Sequence, residues 1–164
     1  EQTDTFLARL GALGRVQGLI GGTSDQMVGV GHLVRTELEA LAALESDKVS
    51  LSGPEVAVTA QVAQWLALVV HELGTNALKH GALSQDPASL MVGWEPGTNG
   101  SGKQILLFDW KERGVAMTTV PPTRKGFGTE LIERATAFNS EAKSKLVFHD
   151  DGVHCHLEFL LVPV

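Results

Sequence analysis

The sequence predicts an α+β domain: a two-layer α/β sandwich with a mixed, mostly antiparallel sheet and helices on one face. Three observations predict it. Apolar stripes at helical period fill the first half of the chain, strand-like runs fill most of the second, and a long helix lies between them. The order lacks the regular βαβ alternation of a doubly wound nucleotide fold. With 164 residues, 43% hydrophobic and 20% charged, the chain is long enough for one domain whose core needs no staples.

Residues 5–20 read as an amphipathic helix with Phe6, Leu10, Leu13 and Ile20 on its inward stripe. Thr3 or Asp4 can cap its start, and Gly21-Gly22 ends it. A second helix is expected over 25–44, with Val30, Leu33, Val34, Leu38 and Leu41 inward. Val49 with Leu51, and Val56 with Val58, make two short alternating runs around Gly53-Pro54, a hairpin or a corner. The longest helix spans 59–83, with Val62, Leu66, Val69, Val70, Leu73 and Ala77 on its apolar stripe. Strands follow at 90–94 and 104–111, then a loop over 113–125 and a short helix at 128–138. Strands at 145–149 and 153–162 close the chain, joined by Asp151-Gly152, a strong two-residue hairpin signal.

Composition excludes several functions. Lys plus Arg is 13 against 19 for Asp plus Glu, a net charge of −6, which disfavours nucleic acid or an anionic membrane surface as partner. One cysteine, Cys155, excludes an internal disulfide framework and reads as a buried small hydrophobe. No apolar run approaches the roughly 20 residues that span a bilayer, and no signal-peptide pattern is present, so a cytoplasmic location is expected.

The informative stretch runs from His71 to Ser84. At about 100° per residue, Glu72, Asn76 and Lys79 share one edge of the long helix. An amide oxygen is a hard ligand suited to Mg²⁺, a carboxylate can hold a water beside the metal, and an ammonium neutralises phosphate charge. The same edge also suits a plain solvated helix face. Two further segments favour the chemical reading. Phe108-Asp109-Trp110-Lys111-Glu112-Arg113-Gly114 ends a central strand in a carboxylate followed by glycine, a device for accepting a hydrogen bond from an exocyclic amine. Gly126-Phe127-Gly128 opens a helix, where bare backbone N–H groups can approach a phosphate.

Together these segments resemble the ATP-binding domain of sensor histidine kinases, in the GHKL ATPase superfamily, and more closely the HWE subgroup. That subgroup is named for a His in the N box and a Trp-x-Glu in the first glycine box, here His71, Trp110 and Glu112. The His-Glu-Leu-x-Thr-Asn-Ala-x-Lys-x-Gly-Ala-Leu-Ser run matches almost position for position. The Gly53-Pro54 lead-in, the Trp94 strand and the segment from Gly126 to Arg134 also fit.

The resemblance implies the GHKL sandwich, with ATP and Mg²⁺ as cofactors. Asn76 would ligate Mg²⁺, Glu72 would order metal-bound water, and Lys79 with His80 would lie near the phosphates. Glu112 would stand in for the adenine-reading Asp, Gly114 would shape the base pocket, and Gly126, Phe127 and Gly128 would admit the phosphates. His71 points away from the Glu72 edge by helical angle, which suits packing.

The resemblance also implies a division of the chain. Residues 1–23 would be a remnant of the second dimerisation helix, and 24–164 the catalytic domain of a bacterial phosphorelay protein. None of the six His (32, 71, 80, 149, 154 and 156) has the His-Arg-x-Lys-Asn context of the acceptor, so the chain alone is not expected to autophosphorylate. Its partners would be its own phosphoacceptor hairpin and a response-regulator receiver domain, with a homodimer formed through the longer protein. The apolar stripes of the first two helices can pair between chains or pack on the sandwich.

Departures from the pattern are Val115, where the subgroup has a second glycine, and Gly74, where it has Ala. The lid segment is short, which suits the subgroup. Val115 and the short lid also allow an alternative, a degenerate docking module that binds no nucleotide. The length and lid disfavour a stand-alone GHKL ATPase. His149, His154, His156 and Glu158 could form a zinc patch, but the simpler reading is the wet face of the last hairpin, with Val153, Cys155, Leu157 and Phe159 inward. Trp65 and Trp94 are expected in the core.

Overall fold

The computed structural model describes residues 2–20, 27–44, 47–116 and 142–161. Its helices are α1 (Gln2–Ile20), α2 (Val30–Ala40) and α3 (Ala60–His80). Its strands are β1 (Met27–Gly29), β2 (Val49–Ser52), β3 (Ala57–Thr59), β4 (Ser89–Thr98), β5 (Gln104–Arg113), β6 (Lys143–His149) and β7 (Gly152–Leu160). A five-stranded sheet has the order β2-β4-β5-β7-β6, and β1 pairs with β3 in a separate two-stranded sheet. Among the described residues only β2 with β4 is parallel, and every other strand pairing is antiparallel. The expected α+β sandwich is the one observed, with β5 central as expected.

The core lies between helices and sheet. Leu33, Val34 and Leu38 of α2 and Leu66, Val69, Val70 and Ala77 of α3 are fully buried in one cluster with Val92, Leu106, Phe108, Trp110 and Leu157 of the sheet. Trp65 meets Phe159 edge to face at 5.6 Å. Trp94 is also buried and its indole N–H donates to Pro54 O at 2.9 Å. The Thr59 hydroxyl caps α3 by accepting from Val62 N–H at 3.3 Å. Side chains alternate across a strand with period 2, so Phe108, Trp110 and Glu112 all point into the core while Asp109 and Lys111 face the open side of the sheet.

Three expectations need correction. The stripe of α1 expected inward is not the buried one: Phe6 and Leu10 are exposed, while Ala12 and Val16 are fully buried. Ala12, Val16 and Leu19 form the inner stripe, and Arg9 and Arg15 on either side of Ala12 reach the buried carboxylates of Glu72 and Glu37. α2 begins at Val30, not near residue 25, because Met27–Gly29 is extended and pairs with β3. Of the two readings of Gly53-Pro54 the corner holds, since it leads from β2 in one sheet to β3 in the other. The last turn is Asp150-Asp151, one residue earlier than expected, since His149 pairs with Gly152. Gly152 has φ +147°, and a Cβ there would stand 2.5 Å from Glu112 O. The expected helix at 128–138, most of the 113–125 loop and Gly126-Phe127-Gly128 lie outside the described residues.

Candidate functional site

The site is built on the second half of α3. Glu72, Asn76 and Lys79 follow one another along one edge, as the helical spacing requires. Asn76, Lys79 and His80 are exposed, and Lys79 supplies a cation to the negative end of the helix dipole. Glu72 is different. It is buried under α1, where Arg9 Nε donates to its Oε1 at 2.6 Å. Six residues further along α1, Arg15 forks onto the buried Glu37 of α2, with its NH2 group 2.9 Å from Oε2. Burial pushes the Glu37 carboxyl up, against the Arg15 hydrogen bond and charge.

His71 is buried among these groups, and its Nδ1 has no hydrogen-bond partner. Burial holds its pKa below the usual 6.5. That agrees with a packing position pointing away from the Glu72 edge. Gly74 also has a packing reason: a Cβ there would lie 2.4 Å from Leu41 Cδ1, so the Ala of the family pattern would displace that side chain.

The Trp-x-Glu segment does not face an open pocket. Glu112 is 1% exposed. Its Oε1 accepts from Ala82 N–H at 2.8 Å and its Oε2 accepts from Trp110 Nε1–H at 3.2 Å. Burial raises the Glu112 pKa, opposed by these two hydrogen bonds. Gly114, at φ +76°, turns the chain off β5 close to Ala88. Val115 is buried in the core cluster, and its N–H donates to Asp151 O at 2.9 Å. Its side chain therefore packs the sandwich.

The terminal hairpin has the expected inward face, with Cys155, Leu157 and Phe159 buried. Burial pushes the Cys155 thiol up to about 12, which suits an inert core residue. On the open face His156 Nδ1 lies 2.7 Å from Asp109 Oδ1, and the His149 and His154 rings are 4.2 Å apart. Among the described residues, no three or more His, Cys, Asp or Glu converge as a metal group. No helix among them is long and apolar enough to cross a membrane.

Sequence reasoning missed Arg9, Arg15 and Glu37. Their signal was present, because Arg9 and Arg15 flank Ala12 at spacings that put both on one side of a helix.

Comparison with known proteins agrees with this geometry. The chain is 30% identical over 150 residues to a blue-light-activated histidine kinase of Rhizobium johnstonii, covering 92% of this chain and 41% of that protein. A protein of the same description from Brucella anthropi is 28% identical, with 92% and 30% covered. The chain thus spans less than half the length of these relatives. The histidine kinase domain of a blue-light-activated kinase of Erythrobacter litoralis superposes with a TM-score of 0.61 at 17% identity, covering 94% of this chain and 73% of that one. The catalytic domain of the histidine kinase ThkA gives 0.57 at 12% identity, with 84% and 97% covered. No protein-family model matches. The fold is that of histidine-kinase catalytic domains. More particularly, over 92% of its own length the chain resembles part of a blue-light-activated histidine kinase, and the HWE pattern of His71, Trp110 and Glu112 fits that resemblance.

Proposed function

We propose that this domain binds Mg²⁺–ATP along the exposed edge of α3 and presents the γ-phosphate to a histidine on a helical hairpin outside this chain. The observation that carries this reading is the Glu72–Asn76–Lys79–His80 edge, of which all but Glu72 is open to solvent. The donor set fits the group: a neutral amide oxygen at Asn76 suits a hard cation that keeps its waters, and the Lys79 ammonium and the His80 imidazole stand one turn beyond it. Bound ATP supplies the phosphoryl group, and positioning with charge neutralisation is the part left to the protein. Asn76 orients the metal side of the site. Lys79 and His80 offset phosphate charge as point donors. Glu72 holds a water only through what Arg9 leaves of its carboxylate, since Oε1 is engaged.

Residues 1–23 fit the second helix of a dimerisation hairpin and 24–164 the catalytic domain. The exposure of Phe6, Leu7 and Leu10 on α1 supports that division, because those apolar side chains suit another helix. A response-regulator receiver domain is then the onward partner. The degenerate-module alternative loses one of its supports, since Val115 packs inward.

Calorimetric titration of ATP with and without Mg²⁺ tests the proposal. Wild type should bind with affinity that depends on the metal. Asn76→Ala should lose that dependence while keeping its fold by circular dichroism. Equal Mg²⁺–ATP affinity in the variant would remove Asn76 from the site.

A further inference from the structure

The Trp-x-Glu pair has a physical arrangement that base reading does not account for. Trp110 and Glu112 are two residues apart on β5, so they share its inner face, and the indole N–H donates to the carboxylate within the strand. The other carboxylate oxygen crosses to the far end of α3. There the helix ends in a tight turn in which Gly81 N–H and Leu83 N–H both donate to Ala77 O, at 3.0 and 3.1 Å. The N–H of Ala82, a fully buried residue, is directed instead at Glu112 Oε1. Buried backbone donors need partners, and a carboxylate is a strong one.

Gly81 is the socket for this contact. A Cβ at Gly81 would fall 2.1 Å from Glu112 Oε1 and 2.9 Å from Ala77 Cα. The main chain of Glu112 is fixed as well, because Gly152 of β7 packs against its carbonyl more closely than any side chain allows. A helix C-terminus carries partial negative charge, so a carboxylate beside it gains nothing from the dipole. Specific hydrogen bonds therefore hold Glu112 there. A base-reading carboxylate needs an oxygen facing a pocket, whereas both oxygens of Glu112 are sealed and bonded to protein.

We propose that Glu112, oriented by Trp110, is a positioning residue: it seats the C-terminal end of α3 and so fixes where Lys79 and His80 stand. It does not read the base. The consequence for nucleotide rests on the proposed function, but the seating of the helix end does not.

The test uses this chain with Glu112→Ala and Trp110→Phe, read by amide hydrogen exchange and by nucleotide titration. Losing a buried acceptor should speed exchange at Ala82 by about tenfold or more in Glu112→Ala. Trp110→Phe removes only the Oε2 donor and should give a smaller rise; it also serves if Glu112→Ala fails to fold. ATP and inosine triphosphate, which lacks the exocyclic amine, should lose affinity by the same factor, because the phosphate cations move and the base contact does not. Unchanged Ala82 exchange in the folded variants would overturn the proposal. So would a collapse of the preference for ATP over inosine triphosphate. Failure of wild type to bind either nucleotide would sink the nucleotide reading alone, with Ala82 exchange still judging the seat.

Discussion

The two ends of the site half of α3 are held in contrasting ways. At Glu72 the helix is held by α1, through an ion pair 2.6 Å long between side chains 23% and 11% exposed. At Gly81 it is held by the sheet, through a carboxylate 1% exposed that binds a buried backbone N–H. The first contact joins groups 63 residues apart and lies within reach of water; the second is sealed in the core. Water can replace part of what is lost at the first end. At the second it cannot, so removing either partner leaves a buried polar group unsatisfied. The end that carries Lys79 and His80 is thus held by a sealed contact, while the Glu72 end is held by an ion pair that water can partly replace.

Breaking the sealed end should have the largest effect. Gly81→Ala should destabilise the domain by about 3 kcal/mol in urea denaturation, because the new methyl collides with both Glu112 and the α3 backbone. Made in a Glu112→Ala background it should cost clearly less, since one of the two collisions is gone. A full cost in that background would mean that the Ala77 contact, not the carboxylate, dictates glycine.

At the α1 end, Arg15→Ala should cost about 2 kcal/mol, because Glu37 stays buried and loses its fork. Arg9→Ala should cost about 0.5 kcal/mol, since its pair is partly wet. Equal losses for the two, measured in the same denaturant series, would erase the distinction between buried and accessible clamps.

The smallest effect is on pH dependence. Burial holds His71 neutral, with its folded-state pKa below the ordinary 6.5. The unfolded chain therefore binds the extra proton first, and stability is lost as pH falls from 6.5 through the lowered value. Glu112 acts with the opposite sign: its folded pKa is raised by burial, so its contribution is present below the ordinary 4.5 and is lost as pH rises through the raised value. His71→Phe should flatten the acid limb of the melting-temperature profile, and an unchanged limb would show that other groups set it.

Much of this was legible in the sequence. The α3 stripe, the strands β5, β6 and β7, the core positions of Trp65 and Trp94 and the exposed Asn76–Lys79 edge follow from periods of 3.6 and 2. The orientation of Glu112 was legible too, since Phe108, Trp110 and Glu112 alternate on one face; the glycine after it drew attention to a pocket instead. The face of α1 was not legible from hydrophobicity. Phe6, Leu7 and Leu10 stay outside, and Arg9 and Arg15 meet carboxylates distant in sequence from beside the buried stripe. The separate β1–β3 sheet was hidden for a similar reason, because a three-residue strand has no period to read and depends on a distant partner.

The most direct test of the central claim is backbone amide NMR of the chain titrated with Mg²⁺–ATP. The account predicts that the largest shifts cluster on the Asn76–Lys79–His80 edge, weaken when Mg²⁺ is withheld, and spare the open face of β6 and β7. Saturable shifts centred on that open face, or none along α3 at millimolar nucleotide, would contradict it.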